Sequence, residues 1–68
     1  MKYILVIKLV YTCMHSAPVV RERVFASKEF DRAVQVYNEA NREVGREVQL
    51  GADRCVLSEV KGGHRVRK

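Results

Sequence analysis

The chain is short of the residues that commit a small protein to a special architecture. It holds two cysteines, one proline, four glycines and no tryptophan in 68 residues. Two cysteines are too few for the multi-bridge framework of small secreted domains. Cys13 and Cys55 therefore read as small buried hydrophobes, with a bridge between them open under oxidising conditions. Aromatic residues make up only 7%. Tyr3, Tyr11, Phe25, Phe30 and Tyr37 have simpler places in a core than as a platform for stacked bases. No apolar run approaches the roughly 20 residues of a membrane-spanning helix. A glycine-rich phosphate loop is missing, because no helix follows Gly62-Gly63. Repeats, linkers and low-complexity stretches are absent as well.

Acidic residues are missing from one end. Residues 61–68, KGGHRVRK, carry Lys61, Arg65, Arg67 and Lys68 and no acid. Four of the thirteen basic side chains lie there, leaving nine against eight acids over the rest. The net charge of +5 thus describes a basic tail on a nearly neutral body. A uniformly basic nucleic-acid face is not implied.

What the chain has in quantity is aliphatic strand. Residues 3–13, YILVIKLVYTC, put Tyr3, Leu5, Ile7, Leu9, Tyr11 and Cys13 on one face and Ile4, Val6, Lys8, Val10 and Thr12 on the other. Both rows are largely apolar. Lys2, this run and His15-Ser16-Ala17 loosely imitate a secretion signal, but Lys8 interrupts the run and cleavage would remove the best strand. A cytoplasmic protein is the expectation.

MHSAP (14–18) is a turn, and VVRERVF (19–25) a second strand whose charges suit a sheet edge. Ser27 is placed to cap a helix with Glu29 and Asp31 in its first turn. Phe30, Ala33, Val34, Tyr37, Ala40, Val44 and Val48 follow at three- and four-residue spacing, an amphipathic stripe. Gly45 or Gly51 can end that helix, and Val48 on the stripe favours Gly51. RCVLSEVK (54–61) alternates as a third strand, and Gly62-Gly63 turns or begins a tail.

The expected fold is α+β. It is a ββαβ domain over 1–61 with a basic tail at 62–68. A hairpin followed by a right-handed crossover gives a three-stranded antiparallel sheet of order 2-1-3. One amphipathic helix covers one face. The other face shows Ile4, Val6 and Val10, or their odd-numbered neighbours if the register is reversed, and such a patch marks association with a second chain.

Chemistry finds little footing. Cys13, His15, Cys55 and His64 are zinc-type ligands, but this topology sets Cys55 near Cys13 and His64 about 20–30 Å away. Cys13, His15 and Ser16 share a loop without an acid placed to orient His15. No metal, cofactor or enzymatic activity is expected. Candidate contacts to a protein or nucleic acid are Arg21 and Arg23 on the edge strand, Arg42 and Arg46 on adjacent helical turns, and Arg65, Arg67 and Lys68 in the tail.

The aliphatic hairpin, the lead-in Phe25-Ala26-Ser27 to a helix with Ala33, and the closing strand CVLSEV resemble the layout of small phage-encoded proteins that disable host machinery. Several anti-CRISPR proteins and bacterial RNA polymerase inhibitors are of this kind. The resemblance spans residues 3–61 and brings no motif from which site residues carry over. It implies a stoichiometric inhibitor acting in the host cytoplasm without catalysis. The expectation is a protein-binding module, dimeric through the open sheet face, with a nucleic-acid-binding module using the basic tail as the alternative.

Overall fold

The computed structural model describes the backbone of residues 2–67 and the side chains of residues 4–63. Its elements are β1 (Lys2–Cys13), β2 (Val19–Ala26), α1 (Phe30–Arg42), β3 (Glu47–Leu50) and β4 (Asp53–Arg67). A 3-10 turn, Ser27–Glu29, precedes the helix. The class is α+β, with one helix on an antiparallel sheet. The sheet has four strands in the order β2-β1-β4-β3, however, not three.

β1 takes the centre, as its two apolar rows require. It pairs with β2 from Ile4–Ala26 to Tyr11–Val19, and with β4 from Lys2–Arg67 to Cys13–Cys55. The helix packs on the odd-numbered row. Ile7, Phe25 and Ala33 form the core there, with Leu5, Leu9, Val36, Tyr37 and Val60 against them. Ile4, Val6 and Val10 therefore belong to the opposite face.

Three expectations fail between Ser27 and Lys68. The helix ends at Arg42, not at Gly51, and its first residues carry no side-chain cap from Ser27. The Glu29 carboxylate instead accepts the Ala26 amide at 3.1 Å. Gly45, at φ 90°, adopts the left-handed conformation that stops a helix. The chain beyond it is tied to β4, since Gly45 N–H donates to the Leu57 carbonyl at 2.8 Å and Leu57 N–H to that of Arg46 at 3.4 Å. Val48 and Leu50 thus lie in a strand, β3. A two-residue turn at Gly51-Ala52 joins it to β4, with Gly51 at φ 64° as a type II′ hairpin requires.

Residues 62–67 do not leave the sheet as a tail. They continue β4 and pair with Lys2–Ile7. An irregularity lies between Val10 and Tyr11, where Val10 pairs with Glu59 and Tyr11 with Leu57, so Ser58 is extra. The Ser58 hydroxyl donates to the Val10 carbonyl at 3.0 Å and accepts from Thr12 Oγ1 at 3.1 Å. This bulge brings both Leu57 and Val60 to the helix side, which simple alternation forbids.

Candidate interaction surface

The uncovered face is built from cross-strand pairs. Val6 lies opposite Val24, and Val10 opposite Val20. Between them Lys8 meets Glu22 at 3.8 Å, with both side chains well exposed. Val6 is only 6% exposed and Ile4 and Val10 are half-buried. The accessible apolar surface belongs instead to β2, where Val20 and Val24 are 55% and 58% exposed. Sequence reasoning missed these two valines because Glu22 and the flanking arginines made β2 read as an edge. Their pairing to β1 was the available signal.

The expected contact arginines fall on three separate elements. Arg21 and Arg23 lie on β2 opposite Leu9 and Ile7, toward the helix side. Their guanidinium carbons sit 5.7 Å from the Tyr11 ring and 5.5 Å from the Phe25 ring. That contact sets the cations over aromatic rings. Arg42 closes the helix, whereas Arg46 lies past the Gly45 turn and is held by Glu43 at 2.9 Å. The two are therefore not on adjacent helical turns. Arg65 and Arg67 pair with Ile4 and Lys2 at the far end of β4, and their side chains, like Lys68 as a whole, lie outside the described residues.

At the other end of the sheet Cys13 and Cys55 are directly opposed and joined in a disulfide. Their proximity follows the expected topology, and so does the position of His64 opposite Leu5. Reading them as free apolar thiols is corrected. Ligand atoms of Cys13, Asp53 and Cys55 lie within 4.8 Å of one another, but each sulfur is bonded to the other and lacks the thiolate a metal takes.

Asp53 has a structural duty that the sequence did not reveal. Its Oδ2 accepts the amides of His15 at 3.0 Å and Ser16 at 2.8 Å, and its Oδ1 accepts its neighbour Arg54 N–H at 2.8 Å. The Ser16 side chain holds its pKa below the ordinary value. The amides of His15, Ser16 and Arg54 act the same way, and burial opposes them. An acid does therefore stand at the His15 loop, but it grips backbone amides. Sequence separations of 37 and 38 kept this contact out of any local pattern.

Among the described residues no helix is long and apolar enough to cross a membrane. Comparison with protein-family models, with curated proteins and with solved structures finds no match to this chain.

Proposed function

We propose that the protein is a small non-enzymatic binding module that pairs with a second copy through the uncovered sheet face and recognises another protein. Val20 and Val24 carry this reading, as two exposed valines in register with Val10 and Val6 on the face opposite the helix. Patches of that sort are covered by partners. Two-fold pairing would set the same valines and the same Lys8–Glu22 pair against each other. Binding without chemistry is also the mode of a stoichiometric inhibitor, the role that the layout resemblance implies. The cytoplasm is its proposed place of action.

Sedimentation of the whole chain tests the proposal. The native protein should run as a dimer and Val24→Asp as a folded monomer, with association weakened at least about a hundredfold. A native chain that stays monomeric at high concentration would refute it. One observation favours nucleic acid as a second reading. Lys2 lies opposite Arg67 and Ile4 opposite Arg65 across β1 and β4, which gathers basic residues at one end of the sheet, as suits a phosphate backbone. Truncation after Lys61 would destroy strand pairing, so adding DNA or RNA to the same sedimentation run, over a range of salt, separates the two readings.

A further inference from the structure

We infer that the free edge of β4 beyond Leu57 is a docking site for an extended strand of a partner protein whose side chains alternate apolar and acidic. This rests on the reading of the molecule as a protein-binding module, but it uses a different surface from the dimer face.

The first observation is an open edge. β3 pairs only with Asp53–Val56, and the Gly45–Arg46 turn takes both hydrogen bonds of Leu57. From there to Arg67 no described strand lies on that side of β4. Alternate residues of such an edge turn their N–H and C=O groups outward, a template for another strand.

The second is an apolar groove of about 130 Å³ beside that edge. Its floor is Gly62, Gly63 and Leu5. Tyr37 packs onto Gly62 so closely that a Cβ there would lie 3.0 Å from the ring, whereas one on Gly63 would meet nothing within 4 Å. The wall is the flank of α1, where Phe30 and Val34 remain 56% and 39% exposed. An amphipathic helix ordinarily buries such residues. Tyr37 takes up the space over Gly62, while the open space over Gly63 leaves room for another chain to come close.

The third is charge. Lys61 sits 3.8 Å from the Glu59 carboxylate, both well exposed, and beyond it the strand holds Arg65 and Arg67 with no further acid. An added strand would send alternate side chains to the helix side, where they lean across Gly62 toward Phe30 and Val34. The intervening ones would fall beside Lys61. The partner that fits is thus apolar on one face and acidic on the other. A second copy fits poorly over the glycines, because antiparallel pairing about Gly63 sets Lys61 opposite Arg65.

Fluorescence anisotropy of the whole chain with a labelled peptide of about ten alternating leucines and glutamates tests this. Binding should saturate and weaken with salt, and a leucine–lysine peptide should bind at least about tenfold more weakly. N-methylation of alternate peptide bonds should abolish binding in one phase and spare it in the other. Val34→Glu and, as a second exposed site, Lys61→Glu should each weaken binding about tenfold or more with unchanged circular dichroism. Val24→Asp should bind as the native chain does, so loss of the dimer reading would leave this one standing. Absence of binding, equal affinity for the lysine peptide, indifference to N-methylation, or a dimer along β4 that survives Val24→Asp would each overturn the inference.

Discussion

The two ends of the sheet are held by different means. At the end of Cys13, four strands lie side by side, a disulfide joins β1 to β4, and Asp53 ties the loop after β1 to the start of β4. At the end of Gly62, three strands remain, two glycines sit mid-strand, and Phe30 and Val34 stand exposed above them. Only six apolar residues are buried among those described, too few to stabilise both ends by packing alone. The difference teaches a division of labour. Contacts between sequence-distant residues make one end rigid, and the other keeps the unpaired edge and open groove that a binding surface needs.

Breaking the closed end should have the largest effect. The Cys13–Cys55 bridge closes a sequence separation of 42, worth about 4 kcal/mol in the chain-entropy account. Replacing both cysteines with serine should remove most of the margin of so small a domain, read as the midpoint of urea unfolding. Gly62→Val comes next. It forces the Tyr37 ring aside and should cost about 1–3 kcal/mol by overpacking. If it cost as much as losing the bridge, the two ends would be equally held and the contrast would fail.

Asp53 gives the smallest and most local effect. Its folded pKa lies below the ordinary value of 3.8, so it stabilises the fold above that pH. The contribution fades as pH falls below it and through the folded value. Amide exchange at His15 and Ser16 should quicken several-fold in Asp53→Asn, and the variant should lose the acid-side fall in loop protection. A native loop whose protection ignored pH in that window would show that the carboxylate is not what holds it.

Legibility in the sequence followed the same line. Local alternation set Leu5, Ile7 and Leu9 apart from Ile4, Val6 and Val10, and the hairpin with its right-handed crossover placed β1 inside the sheet and Cys55 beside Cys13. The missed strand had an ambiguous signature. Val44 and Val48 are four residues apart, as on a helix, while Val48 and Leu50 are two apart, as on a strand. Hydrogen bonds from Gly45 and Arg46 to Leu57 resolved that ambiguity. Phe30 and Val34 matched the helical stripe yet stay exposed, whereas Ala33 and Tyr37 of that stripe, with Val36 beside it, meet the core.

By itself, the order of residues determined an antiparallel hairpin, a helix laid on it, and a central strand greasy on both sides. Each follows from side-chain period and from turn chemistry within a few residues. Only the folded molecule decided where the helix stops, that a fourth strand forms, that a bulge at Ser58 shifts the phase of β4, and that the basic end stays in the sheet. The helix stop and the fourth strand were settled by hydrogen bonds up to twelve residues apart, from Gly45 and Arg46 to Leu57. The bulge and the pairing of the basic end were settled by contacts between β1 and β4 across most of the chain.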